Sequence, residues 1–516
     1  MRATPILVRS ELKNNTMILL LRKGKIQSAV KLFDKMIKWG VQPDAITCGT
    51  IITGLCRVGE LDNALDLLRN MSKWNCKADV VSYSVIIDTL CKRESVDEAI
   101  NLFSEMIDDS NIAPNVIVYN SLINGLCKND RLSEAVRLFD SMSSRGVSAD
   151  AYTYNSLIHG LCNSDRLSEA VRLFDCMSSR GVSADAYTYN SLIHGLCNSD
   201  MLSEAIKVFD SMSSRGVSAD AYTYTTLING FCKRGLWKET IRYFDEMVGI
   251  GISPDVVTFS VLIDSLSREG RMEEAYRIFN VMIKLREEPV VFNYSSMLLG
   301  LCLTGKLQEA HRLFDSMTDK GLEQDVYSFN LLINGYCKSS RVGEAIRLFK
   351  EMRMKGLKPD LVTYNALIVG LCKDGKVGTA QSMLTQMQSD GVSPSIVTYN
   401  VLVNGLCKAG NIEKARRLFS EIPDKGLVAN VVTYTTMING MFKKGMFVEA
   451  EKLITEMKNK GCMPNATTYD TIINGYLRGN NVTRALEFLK EMRGRKLSLT
   501  DATKSLCSSS DCQSKN

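Results

Sequence analysis

The chain copies itself: residues 131–165 and 166–200 are the same 35 letters except for Ser141 in the first and Cys176 in the second. A looser form of this self-similarity recurs every 35 residues along almost the whole sequence. Units begin at Ala45, Val80, Val116, Ala151, Ala186, Ala221, Val256, Val291, Val326, Leu361, Ile396, Val431 and Ala466. A degenerate unit, Ser10–Asp44, precedes them, and the Val80 unit carries one extra residue within "DDSNIAPN", so fourteen units occupy residues 10–500. A period of this size is the mark of a solenoid, because one unit is too small to bury its own apolar face and must stack on its neighbours. Residues 1–9 make a short leading segment, and residues 501–516 a polar tail expected to be disordered.

Within a unit the apolar spacing is helical twice over. Tyr119, Leu122, Ile123, Leu126 and Cys127 form one stripe, and Leu132, Ala135, Leu138, Phe139 and Met142 a second. Gly235, Gly270, Gly375 and Gly410 fall between the two stripes, and Gly356 with Pro359, or Gly461 with Pro464, closes the second, as helix stop signals do. The expected fold is all-α, a solenoid of about 14 helix-turn-helix units. A glycine also interrupts the first helix of eleven units, Gly125, Gly230 and Gly405 among them, where it costs about 1 kcal/mol relative to alanine. Such a cost points to close approach of neighbouring helices.

Composition narrows the functional classes. Apolar runs such as "MILLL" at 17–21 are far short of the roughly 20 residues that cross a bilayer, so no membrane partner is expected. Ten of the 16 cysteines share one apolar context, typified by Cys127, Cys162, Cys197 and Cys407, which suits buried thiols in a reducing compartment. The three histidines, His159, His194 and His311, belong to no metal or nucleophile motif, and Cys507 and Cys512 in the tail have no histidine near them. No catalytic residues, metal or cofactor are therefore expected. A net charge of +6 is too mild to announce a nucleic acid by itself, so placement must decide.

Three positions of the unit stand out. The fifth residue is Asn14, Gly49, Ser84, Asn120, Asn155, Asn190, Thr225, Ser260, Ser295, Asn330, Asn365, Asn400, Thr435 or Asp470, and thus nearly always Asn, Ser or Thr. The last residue is Asp44, Asp79, Asn115, Asp150, Asp185, Asp220, Asp255, Val290, Asp325, Asp360, Ser395, Asn430, Asn465 or Thr500. Asp and Asn at a loop end cap the next helix. Capping leaves the fifth residue unexplained, since Asn, Ser and Thr are mediocre inside a helix. These groups can donate to or accept from the Watson–Crick edge of a base, and helical-repeat RNA readers take one base per unit.

The thirteenth residue is Arg22, Arg57, Lys92, Lys128, Lys233, Arg268, Lys338, Lys373, Lys408, Lys443 or Arg478, with Asn163, Asn198 and Leu303 as exceptions. Cations there suit a helix C-terminus, and repeated at every unit they suit phosphates. The second residue is large and apolar or aromatic: Ile46, Val81, Ile117, Tyr152, Tyr187, Tyr222, Val257, Phe292, Tyr327, Val362, Val397 and Val432. Ordinary packing would account for that row.

"VTYNALIVGLCKDGKVGTAQSMLTQMQSDGVSPS" at 362–395, with its thirteen relatives, resembles the pentatricopeptide repeat family. The even 35-residue spacing and "GLCK" first helices are similar to its pure P class and to plant organellar restorers of fertility. Tetratricopeptide repeats differ in period and in first-helix pattern. The resemblance implies that the second residue wedges between adjacent bases and that the fifth and last residues of one unit together select the base. Asn with Asp would take U, Asn with Asn C, Thr or Ser with Asp G, and Thr or Ser with Asn A. The implied single-stranded RNA site is 5′-U?AUUUG?GUYCA?-3′, with no DNA expected. The resemblance also implies a mitochondrial setting, although the N-terminal segment, which carries Arg2, Arg9 and Lys13, reaches the first unit within about ten residues and leaves little room for a transit peptide. A role in RNA processing, stability or translation follows, with a recruited nuclease as a further partner. The alternative is a protein-binding helical scaffold, which would vary its surface more widely than the fifth and last positions do.

Overall fold

The computed structural model describes Thr16, Leu20 and residues 25–108 and 112–498. Asn14, Arg22, Thr500 and the tail lie outside the described residues. Among the described residues the secondary structure is entirely helical, two helices per unit. In the Val116 unit these are Val116–Lys128 and Leu132–Ser144. Helices of 13 residues are marginal alone in water, so their stability comes from stacking.

The start of each first helix is written into the preceding residue. Asp150 holds an extended backbone and its carboxylate accepts the Thr153 amide at 2.9 Å, while the Thr153 hydroxyl accepts the Asp150 amide at 3.1 Å. This reciprocal capping box recurs at Asp185, Asp220, Asp360, Ser395 and Asn430. The first helix ends where one residue turns left-handed, which lets the Arg131 amide reach back to the Leu126 carbonyl at 3.0 Å. Glycine fills that place at Gly235, Gly375 and Gly410, but Asp130, Asp165 and Asp200 fill it in and beside the duplicated units.

Two contacts stitch unit to unit. The fourth-position ring packs edge-to-face on a phenylalanine of the preceding second helix, as in Phe139–Tyr154 at 5.4 Å, Phe174–Tyr189 at 5.1 Å and Phe419–Tyr434 at 5.2 Å. The mid-helix glycine rests on the cysteine of the previous unit: a Cβ on Gly195 would lie 2.7 Å from Cys162 Cβ, and one on Gly440 2.5 Å from Cys407 Sγ. The close approach expected from sequence is therefore real, and it pairs the Gly and Cys of "GLC" across neighbouring units.

Contacts divide the chain into two segments, 1–261 and 262–516, the division falling within the helix Val256–Arg268. Each segment is a stack of such hairpins in which first helices pack on first helices of the next unit. Within 262–516 a continuous core runs from Val342 to Met492. No described helix is long and apolar enough to cross a membrane.

Candidate nucleic-acid interface

The second-position side chains do not pack. Tyr152 and Tyr187 are 54% exposed, and Ile46, Val81, Ile117, Tyr222, Val257, Phe292, Tyr327, Val362, Val397 and Val432 are likewise exposed. Ordinary packing thus fails to explain this row, since large apolar groups repeated on an open face mark a binding surface. The fifth residues lie deeper than a surface row would: Asn120 and Asn155 are 8% exposed, and Ser84, Asn190, Thr225, Ser295 and Asn330 are also buried. The reason is that consecutive first helices approach closely, so the fifth residue forms the floor between them.

A cleft of about 520 Å³ shows the arrangement in full. Tyr152 and Tyr187 flank it, Asn155 and Asp185 line it, and Lys128, His159 and Asn163 stand around it. The Asn155 amide donates to both Asp185 oxygens at 3.2 and 3.3 Å. The same pairing joins Asn120 to Asp150 at 3.0 Å, Asn190 to Asp220 at 3.4 Å and Asn330 to Asp360 at 3.1 Å. Asn400 donates to Asn430 Oδ1 at 3.4 Å.

Burial alone would raise the carboxyls of Asp150, Asp185, Asp220 and Asp360. The capping amide, the threonine hydroxyl and the asparagine amide outweigh it and hold each below the usual range. Each of these four aspartates is therefore an ionised acceptor beside an amide donor.

Where the fifth residue is Thr or Ser, no direct bond to the last residue forms. Thr225 meets the Thr258 hydroxyl at 2.7 Å while Asp255 caps Thr258 at 2.8 Å. Thr435 meets Thr468 at 2.8 Å while Asn465 caps Thr468. Ser84 turns to its own helix at Val80, with Asn115 capping Val118. The Ser260 hydroxyl likewise donates to Val256 at 2.6 Å. Ser295 Oγ is buried without a partner, and Asp325 caps Ser328. Asp44 and Asp79 cap Thr47 and Ser82 at 2.7 and 2.8 Å, with Gly49 offering no side chain. Val290 cannot cap, and Asn293 Oδ1 instead accepts its amide at 2.9 Å.

The thirteenth-position cations in the described residues are all exposed. Lys92 and Arg268 pair with Asp88 and Asp264, at 2.6 and 2.7 Å, and Lys233 donates to Asn198. Arg57, Lys128, Lys338, Lys373, Lys408, Lys443 and Arg478 make no ion pair with described residues and lie open to an anion. Burial pushes the thiols of Cys127, Cys162, Cys197 and Cys302 up to about 12, which makes them inert packing groups.

Sequence reasoning missed the third residue. Thr153, Thr188, Thr223, Thr363 and Thr398 each donate a hydroxyl to the fifth-position Asn of the preceding unit, at 2.6 or 2.7 Å. The signal was available, since Thr or Ser fills nearly every third position, but it is also what a capping box demands.

The sequence pattern of the PPR repeat family matches thirteen overlapping stretches between residues 14 and 478, and a single PPR repeat matches 467–497. The chain belongs to the PPR, or pentatricopeptide, repeat family. A comparison with curated proteins returned no match. Among solved structures, the pentatricopeptide repeat protein PPR10 from maize is similar at 24% identity and a TM-score of 0.64, over 97% of this chain and 81% of that one. PPR10 in complex with an 18-nt psaJ RNA element is similar at 22% identity and a TM-score of 0.54, over 96% and 81%. These likenesses establish the solenoid of PPR units. The repeat matches run through the described residues from one end to the other.

Proposed function

We propose that this protein binds single-stranded RNA in a sequence-specific way, one base per unit, and so governs the processing, stability or translation of its target. The observation that carries the reading is the cleft in which two exposed tyrosines flank a floor of one amide donor and one carboxylate acceptor. A base slid between Tyr152 and Tyr187 gains stacking of about 1–3 kcal/mol. Its edge then meets Asn155 and Asp185. Uracil, with an acceptor at O4 and a donor at N3, complements that pair. Thr225 and Thr435, being shorter, leave more depth at the floor, which suits a purine. The open cations along the first-helix ends provide the phosphate contacts.

That a PPR protein of similar fold is known in complex with RNA supports the same partner here. The resemblance of this chain to organellar restorers of fertility makes mitochondrial RNA the proposed target, with any cleavage left to a recruited nuclease.

The test is fluorescence anisotropy with 5′-UAAUUUGAGUUCAA-3′, beside the same RNA with its central UUU changed to CCC and the matching DNA. Tight binding to the first, weaker by about 1–3 kcal/mol per changed base, is expected. Equal weak binding to all three would reject the reading and return the solenoid to protein partners.

A further inference from the structure

The fifth-position asparagine can read a base only if its amide is held one way round, because flipping it exchanges a donor for an acceptor. In five clefts the hydroxyl of the next unit's third residue supplies that hold. Thr153, Thr188, Thr223 and Thr363 donate to the Oδ1 of Asn120, Asn155, Asn190 and Asn330, while the last-position Asp takes the Nδ2 from the other side. At Asn365 the partner Asp is replaced by Ser395, and the Thr398 hydroxyl, at 2.7 Å, is the one hydrogen bond on the amide side chain among the described residues.

Two acceptors lie within reach of the hydroxyl, the asparagine Oδ1 at 2.6 or 2.7 Å and the capping aspartate Oδ1 at 2.8 or 2.9 Å, and the asparagine is the nearer. The Ser395 amide donates to Thr398 Oγ1 at 3.2 Å, so the threonine proton must point elsewhere. The same relay runs from Asp185 through Thr188 to Asn155. Two other units show what happens when no third-position hydroxyl reaches the preceding fifth residue. Thr433 accepts the Asn430 amide at 3.1 Å but turns its hydroxyl to Asn430 Oδ1 at 3.0 Å, and Asn400 Oδ1 is then left buried with no partner. Val118 has no hydroxyl, and the preceding fifth residue, Ser84, turns back onto its own helix.

We propose that the third residue of a unit, where it is a threonine bonded to the fifth-position asparagine before it, is a positioning residue for base selection by the preceding unit. Its hydroxyl fixes which face of the fifth-position amide meets the RNA. This rests on the base-reading function above and adds a third side chain to the pair that selects the base, drawn from the following unit.

Thr398→Val tests it directly. Valine keeps the shape, and Val118 shows that the chain already accepts it at this place with the cap on its amide intact at 3.1 Å. Four versions of the RNA above, differing only at the eleventh base, are titrated against the full chain, Thr398→Val and Thr398→Ser. The wild type is expected to prefer one base at that position by about tenfold or more. Thr398→Val should shrink the spread among the four to within about threefold without changing the salt dependence, and Thr398→Ser should restore it. Thr188→Val, assayed at the fifth base, should lose only some of its preference because Asp185 still holds the amide; it also serves if Thr398→Val fails to fold. Full preference retained in both valine variants overturns the positioning role alone. A wild-type chain with no preference at any position overturns the base-reading function and this proposal with it.

Discussion

The duplicated units beginning at Ala151 and Ala186 and the units beginning at Ile396 and Val431 share one scaffold and line it differently. The first pair presents Tyr152 and Tyr187 to the cleft, ends its first helices in Asn163 and Asn198, and caps them with Asp150 and Asp185. The second presents Val397 and Val432, ends in Lys408 and Lys443, and caps with Ser395 and Asn430. On the proposed function, the first pair would hold RNA by stacking and the second by charge. A repeat scaffold can therefore draw affinity from different physical sources at different units, because the second and thirteenth side chains are exposed and take no share in the packing that holds the units together.

Removing the aromatic walls should have the largest effect. Tyr152→Ala with Tyr187→Ala should weaken binding of the RNA by roughly 2–6 kcal/mol in total, whereas Val397→Ala with Val432→Ala should cost about 1 kcal/mol each. Equal losses in an anisotropy titration would erase the contrast.

The scaffold itself should fail alike in both places. Gly195→Ala and Gly440→Ala each drive a methyl into the cysteine of the preceding unit, and each should lower stability by about 1–3 kcal/mol in urea unfolding. Combining Gly195→Ala with Cys162→Ala should recover some of that loss. A neutral Gly195→Ala would mean that the first helices can separate without penalty.

Charge should show in the salt dependence. Lys408→Ala with Lys443→Ala should reduce the slope of log affinity against log salt by about 1.4, near 0.7 for each phosphate contact. Asn163→Ala with Asn198→Ala should leave the slope unchanged.

The smallest difference is in acid. The carboxyls of Asp150 and Asp185 sit below their unfolded value, so they add stability above about pH 4 that is lost as pH falls through the folded value. Ser395 and Asn430 do not titrate. Hydrogen exchange between pH 6 and pH 3 should therefore loosen helices Ala151–Asn163 and Ala186–Asn198 before Ile396–Lys408 and Val431–Lys443. Loss at the same pH in both would assign the acid response to something other than the caps.

Much of this was legible in the letters. The period, the two stripes and the mid-helix glycines follow from local rules of burial and helix geometry, and so does the capping role of Asp150 and its equivalents. The exposed row of second residues was less so, because an apolar letter carries no sign of whether it faces core or solvent. The depth of Asn120 and Asn155 was not legible at all. It depends on how closely neighbouring first helices approach, which the Gly195–Cys162 and Gly160–Cys127 contacts set.

By itself, then, the sequence determined what repeats: a helical hairpin, its caps, and the chemical types allowed at each place in the unit. Those are properties of short spans, where neighbours in the chain are neighbours in space. Only the tertiary structure decided what meets what at separations of 30 and 33 residues, joining Asn155 to Asp185 of its own unit and to Thr188 of the next. That meeting is made by stacking, and stacking exists only once a second unit is present to complete the first.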